Sequence, residues 1–337
     1  LADLKRYSAM SVQYSRGCPF QCEFCDIIEI YGRVPRTKTN AQMLAELDAL
    51  RDLGWRGLVF IVDDNFIGNK RNVKLLMPEL IEWSERHGAP FSFLTEASVN
   101  LAEDDHLLEM MRRANFRRVF LGIETPVEES LREAQKGQNT KRDLLESVKK
   151  IQSYAMEVMA GFIVGFDNDP EDIFERQIEF IRGSGIPLSL VGLLTALPYT
   201  QLWLRLESEG RLLEESTGNN TDGSLNFIPR MDSARLIKGY QRILRTIYSP
   251  AEYYQRALDC LSRSMQGKPE PRRSRFINDV ASFARVVLAL GVRDRDRVEF
   301  WRYMKRATIS HRKDLARAIT LAAMGYHFRK VTEAYSK

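Results

Sequence analysis

Three of the four cysteines in this chain, Cys18, Cys22 and Cys25, fall within eight residues in "RGCPFQCEFCDI", and the fourth, Cys260, lies far downstream. Three crowded cysteines in a long chain staple nothing useful as disulfides, so they read as ligands. Zinc is one reading, although a structural zinc site wants four ligands and usually a second Cys or His pair. No such pair follows, since His87, His106, His311 and His327 are scattered and each reads as an ordinary surface or core histidine. The other reading is an iron–sulfur cluster, in which three thiolates in place of the usual four leave one iron open to a further ligand. Cys260 sits in a helical stretch and reads as a small buried residue.

A second set of chemically capable residues follows short apolar runs. Asp63, Asp64 and Asn65 come after "LVFIV", Glu96 ends "FSFLTE", and Glu124 ends "RVFLGIE". Taken singly, each carboxylate reads as a solvated loop charge or a helix N-terminal acid. Their recurrence at the ends of successive runs points instead to a lined pocket, where carboxylates accept hydrogen bonds from ammonium or hydroxyl groups.

The elements that must position these residues are six strand candidates, at 11–15, 58–62, 91–96, 118–123, 158–164 and 188–195. Stretches with helical spacing separate them, such as "NAQMLAELDALRDLG", with Asn40 near its cap and Gly54 as its terminator, and "TKRDLLESVKKIQSYA". Strands alternating with helices argue for parallel βα units, an α/β architecture with its site at the carboxyl ends of the strands. Beyond residue 228 the pattern becomes almost wholly helical, as in "SARLIKGYQRILRTIYS", "SRFINDVASFARVVLALG" and "VEFWRYMKRAT", with a loop at "QGKPEPRRSR" around Pro271. The expected division is residues 1–228 and 229–337.

The spacing C-x3-C-x2-C with an aromatic before the last Cys, here Phe24, resembles the motif of the radical SAM superfamily. The resemblance implies a partial (β/α)6 TIM-like barrel, a 4Fe-4S cluster on Cys18, Cys22 and Cys25, and S-adenosylmethionine (SAM) on the open iron. It also implies reductive SAM cleavage to a 5′-deoxyadenosyl radical, with electrons from an external donor such as flavodoxin or ferredoxin. Asp63, Asp64 and Asn65 occupy the place of the family's amino-group motif, whose glycine-glycine-glutamate form is absent here. Gly161, Ile163 and Gly165 match its G-x-I-x-G pattern beside the adenine, and Leu197 and Pro198 match residues near the same ring. The phrases "VDDNFIGNK", "TEASVNLA", "FLGIETP" and "NFIPRM" are similar to the cobalamin-binding-type subfamily that ends in a helical domain and includes hopanoid methylases. That subfamily implies an N-terminal cobalamin domain, which would precede Leu1, and C-methylation of an unactivated carbon in a lipid-like or other small molecule.

With 337 residues, 44% hydrophobic and 28% charged, the chain can bury a large core. No run approaches the ~20 apolar residues of a membrane span, and the first residues lack a secretory signal, so a cytoplasmic location is expected. Residues 230–337 carry 24 Lys and Arg against 10 Asp and Glu, whereas residues 1–229 carry 26 against 35. A basic helical half suits the inner membrane surface or nucleic acid phosphates, and it equally suits a solvated face or docking on the acidic barrel. An RNA-modifying enzyme is therefore a second expectation, ranked lower because no RNA-binding module is apparent. Trp301, Tyr303, Tyr326 and Phe328 among these basic residues fit core packing best.

Overall fold

The computed structural model describes residue 4 and residues 7–213, 223–263 and 283–335. Six parallel strands form one sheet in strict sequence order: β1 (Ala9–Val12), β2 (Gly57–Ile61), β3 (Phe91–Ala97), β4 (Phe116–Glu124), β5 (Glu157–Val164) and β6 (Ser189–Leu193). Helices α1 (Ile27–Tyr31) and α2 (Asn40–Asp52) lie between the first two strands, followed by α3 (Lys70–Arg86), α4 (Asp105–Arg113), α5 (Glu128–Glu133), α6 (Leu144–Ser153) and α7 (Ile173–Ser184). Helix α8 (Gln201–Ser208) follows β6, and the remainder is α9 (Ser233–Ile247), α10 (Pro250–Arg263), α11 (Arg297–Ser310) and α12 (Leu315–Tyr335). This is a partial TIM-like barrel with a mainly helical continuation, as expected.

Each strand has two distinct faces. Val119, Leu121 and Ile123 on β4 and Val158, Ala160, Phe162 and Val164 on β5 are buried beneath the helices. The alternate residues, Leu94 and Glu96 on β3, Phe120 and Gly122 on β4, and Met159, Gly161 and Ile163 on β5, are only half-buried. Period-two alternation thus sets a packed convex face against an open concave one. Register lines up Phe60 with Leu94, Glu96 with Phe120 and Met159, and Gly122 with Gly161 and Leu190.

The first strand lies earlier than the apolar run at 11–15 suggests. Its ladder ends at Val12 because the backbone amides of Tyr14 and Ser15 turn to the Asp63 carboxylate, 2.7 and 2.8 Å away. Ser15–Arg16 instead pairs antiparallel with Arg36–Thr37 in a short ribbon that the sequence pattern did not reveal. Helix α2 is capped by Thr39, one residue before Asn40: its hydroxyl accepts from the Gln42 amide, and the Gln42 side chain accepts from the Thr39 amide.

The apolar core runs without a break from Val12 to Ala322, so the C-terminal helices share it with the barrel. Helix α9 lies against α7 so closely that a Cβ at Gly239 would fall 2.2 Å from the Phe174 ring. Tyr303 is buried and donates to the Ala318 carbonyl, Phe328 stacks on Tyr248 at 5.1 Å, and Cys260 is fully buried, but Trp301 remains 49% exposed. Of the expected helix at 274–291, the described part continues as a π-helix at Val287–Arg293. The expected loop around Pro271 lies outside the described residues.

Candidate active site at the strand ends

The cysteine segment leaves β1 through Gly17, whose φ of +98° is open to glycine; a Cβ there would also sit 2.8 Å from the Gly32 carbonyl oxygen. This close approach lets the Cys18 amide donate to Gly32 at 3.3 Å, while the Cys25 amide donates to the Cys22 carbonyl at 3.1 Å. Glu23, inside the segment, ties it to the far side of the barrel. Its amide donates to Ala134 and its carbonyl accepts from Leu202, both at 2.9 Å, and its carboxylate pairs with Arg205, which also holds Asp167 beyond β5 at 2.9 Å.

All three thiols are free, with Cys22 buried and Cys18 and Cys25 half-buried. Every sulfur has an N–H donor. The Phe20 amide and the Asn65 side chain, at 3.8 Å, donate to Cys18; the Gln138 side chain donates to Cys22 at 3.5 Å; and the Ile27 amide donates to Cys25. Burial pushes the Cys18 thiol above its ordinary range and the Cys25 thiol up to about 12. Among the described residues, no group of three or more His, Cys, Asp or Glu is placed to hold a metal ion. Buried neutral thiols need no such ring of donors, whereas thiolate sulfurs bound to an iron–sulfur cluster are stabilised by one. The donor set therefore fits the cluster that the family resemblance implies.

Beside the thiols, β4 ends in a register irregularity between Gly122 and Glu124, with Glu124 at φ +65°. The buried Glu124 carboxylate forms an ion pair with the buried ammonium of Lys136. Burial opposes the lysine charge, but Glu124 and the cysteine sulfurs outweigh it and raise the Lys136 pKa. Its ammonium also lies 5.7 Å from the centroid of the Phe24 ring. A Cβ at Gly122 would fall 2.4 Å from Glu124 Oε1 and 2.7 Å from Lys136 Nζ, so the pair depends on the absence of a side chain there. Sequence reasoning missed Lys136 and Gln138; they lie in "AQKGQNT", a polar connection with neither apolar periodicity nor a metal-ligand pattern.

The triplet Asp63, Asp64 and Asn65 after β2 separates into three roles. Asp63 is buried and fully engaged, accepting from the Tyr14 and Ser15 amides and from the Ser15 hydroxyl at 2.6 Å. Asn65 bridges Cys18 to Ser98, whose amide donates to Asn65 Oδ1 at 3.3 Å. Asp64 keeps one buried carboxylate oxygen without a protein partner, and burial raises its pKa. Glu96, on the concave face, is pushed up to about 7 by burial and by the charge of Asp64.

Near the end of β5, Ile163 packs with Phe24 and with Phe166, Leu194 and Ala196 from beyond β5 and β6 in a small apolar cluster separate from the main core. Gly161 faces Glu124, since a Cβ there would lie 3.9 Å from Glu124 Oε2. Gly165 has φ +110° and donates to Asp169 at 2.8 Å, which makes it a turn residue. The Leu197 carbonyl accepts from the Thr200 hydroxyl that caps α8, and Pro198 follows it, half-buried. Asn226 fastens "NFIPRM" to the loop after β6 through a reciprocal pair with Ala196 at 3.0 and 2.8 Å. The structure thus gathers Phe24, Asn65, Glu124, Gly161 and Ile163 around the thiols, together with Lys136 and Gln138, and commits Asp63 to holding β1.

Comparison with known proteins gives two family matches: the Radical SAM superfamily over residues 12–181 and a domain of unknown function, DUF4070, over residues 200–337. An uncharacterised methyltransferase of Synechocystis sp. is 46% identical over 99% of this chain. The hopanoid C-2 methylase of Rhodopseudomonas palustris is 36% identical over 97% of it. The chain spans 62% of the length of each of these relatives. Among solved structures, the radical S-adenosylmethionine methyltransferase TsrM from Kitasatospora setae, with cobalamin and a [4Fe-4S] cluster bound, has a TM-score of 0.56. It is 13% identical, and the match covers 95% of this chain and 61% of that one.

Proposed function

Because the chain belongs to the radical SAM superfamily, we propose that it is the catalytic and helical part of a cobalamin-dependent C-methyltransferase acting on an apolar small molecule or lipid. The observation that carries the reading is the ring of N–H donors around three free thiols at the strand ends. Cys18, Cys22 and Cys25 would hold a 4Fe-4S cluster, which when bound would supply the single electron for reductive SAM cleavage. Asn65 and Gln138 stabilise the ligating sulfurs. Asp64 and Glu96, on the concave side with unspent acceptor capacity, receive the SAM ammonium or ribose. Ile163, Gly161, Leu197 and Pro198 border the adenine. Glu124, neutralised by Lys136, presents its second carboxylate oxygen toward Gly161 and the same pocket.

An apolar substrate is favoured by the concave face, where Phe60, Leu94, Phe120 and Met159 are only half-buried and Leu190 is 47% exposed. Such a surface binds hydrocarbon by removing apolar area from water, while the open face admits a large molecule. On this reading residues 1–228 carry out the chemistry, residues 229–337 support it, and cobalamin is bound mainly by a separate domain. A flavodoxin- or ferredoxin-like donor supplies the electron. The hopanoid methylase relative supports the lipid assignment.

The test is comparative lipid profiling of the parent strain and a strain lacking the gene. Loss of specific methylated lipids, restored by the wild-type gene and not by a Cys22→Ala copy, is the expected result. Unchanged lipids would refute the substrate class. The reconstituted protein should release 5′-deoxyadenosine from SAM in the presence of dithionite, and absence of that product would refute the chemistry.

A further inference from the structure

Helix α11 turns Phe300, Tyr303, Met304 and Ala307 into the core, and its other side carries Val298, Trp301, Lys305 and Ile309 on the surface. These four residues recur at three- and four-residue spacing and form one stripe along the helix. Three are large and apolar, with exposures of 57% at Val298, 49% at Trp301 and 69% at Ile309; the adjoining π-helix adds Val292 at 56%. Exposed Arg297, Arg302 and Arg306 flank the stripe, and Arg312 and Lys313 continue past its end. Between residues 297 and 313 there are six Lys and Arg against a single acid, Glu299, which pairs with Arg302.

Two further observations point to a ligand surface. A groove of about 390 Å³ runs between α10 and α11, bordered by Tyr254, Tyr303, Arg302, Lys305, Arg306 and Ile309, with the two tyrosines stacked at 4.7 Å. Trp301 donates to the Gly291 carbonyl at 2.9 Å, which fixes the indole on the surface and stops it folding inward. The stripe thus joins outward aliphatic residues, an anchored indole, a groove and a cationic border.

We propose that the α11 face is a docking surface for an anionic lipid bilayer, with Val298, Trp301 and Ile309 entering the headgroup–acyl boundary. Lys305, Arg306, Arg312 and Lys313 engage lipid phosphates at its edge. Apolar residues interleaved with cations on one helix face suit a bilayer interface, where both kinds of group are satisfied at once. Nucleic acid satisfies only the cations, since Val298 and Ile309 have no base-stacking surface and the single exposed aromatic of the stripe is tied at its N–H. This docking is independent of cluster chemistry, so it is present in protein without iron or SAM.

The experiment is co-sedimentation of the full chain with vesicles of phosphatidylcholine containing phosphatidylglycerol, and with phosphatidylcholine alone, following tryptophan emission in parallel. The expected result is binding to the anionic vesicles only, weakened by salt, with a blue shift of emission that disappears in Trp301→Phe. At roughly 1 kcal/mol per surface cation, Lys305→Gln should weaken binding about fivefold, and Val298→Ser with Ile309→Ser should weaken it at least as much. These positions are exposed, so folding is expected to be retained, as an unchanged melting curve would show. Equal binding to both vesicles, no binding to either, or salt-sensitive RNA binding without vesicle binding would each overturn the proposal.

Discussion

The Lys136 ammonium and the Glu124 carboxylate form a buried ion pair directly beside the three thiols. Removing one member strands the other charge away from water, which typically costs about 3–5 kcal/mol. Lys136→Met should therefore lower the stability of the iron-free protein by about that amount, and Lys136→Met combined with Glu124→Gln should recover much of it. Chemical denaturation of the two variants and the parent checks this. Equal losses in the single and double variants would show that the pair is not coupled.

Gln138 donates to Cys22 from outside the cysteine segment, at 3.5 Å. N–H donors to ligating sulfur stabilise the more reduced, more negative cluster and raise its potential. Gln138→Leu should lower the cluster potential by on the order of tens of millivolts, measured by redox titration. An unchanged potential with the cluster intact would remove Gln138 from the tuning role.

Glu96 makes the sign of one pH effect explicit. Its folded pKa of about 7 exceeds that of an unfolded glutamate, so the native state binds more protons between about pH 4.3 and pH 7. Its contribution to stability therefore falls as pH rises through that window and stays low above it. Glu96→Gln should stabilise the iron-free protein by about 1–3 kcal/mol near pH 8 and change little below about pH 4, as denaturation at both values would reveal. Pairing with the SAM ammonium favours the charged carboxylate, so SAM affinity should rise with pH through about 7 in the parent and lose that dependence in the variant.

Asp63 and Asp64 are neighbours with opposite expected phenotypes. Asp63→Ala leaves the Tyr14 and Ser15 amides without their acceptor and should cost about 2–4 kcal/mol of stability. Asp64→Asn should leave stability within about 1 kcal/mol of the parent and weaken SAM binding. Calorimetric melting alongside equilibrium SAM binding separates the two; a stable Asp63→Ala variant with lost SAM affinity would reverse the assignment.

The contrast between Asp63 and Asp64 also marks how far the sequence could be read. All six barrel strands appear as apolar runs, because strands covered by helices are rich in buried β-branched and aromatic residues, and the cysteine spacing pointed to the three free thiols that the fold brings together. Which acid of "VDDN" faces the pocket was hidden, since it depends on amides of Tyr14 and Ser15 some 49 and 48 positions away. The same long-range bonds moved the end of the first strand to Val12. Lys136 and Gln138 come to the site because α5 ends against the cysteine segment through Ala134 and Glu23, a contact that leaves no periodic trace. The aromatic residues of the C-terminal helices divide in the same way: Tyr303 is buried in the core and Phe328 packs against it, whereas Trp301 is held outside by its bond to Gly291.

Whether Cys18, Cys22 and Cys25 hold a cluster with one iron open to SAM is decided by electron paramagnetic resonance. The anaerobically reconstituted, dithionite-reduced protein is recorded with and without SAM. The expected result is a 4Fe-4S signal that changes on SAM addition, is lost in Cys18→Ala, Cys22→Ala and Cys25→Ala, and persists in Cys260→Ala. A well-folded protein with no cluster signal, or a cluster signal indifferent to SAM, would contradict it.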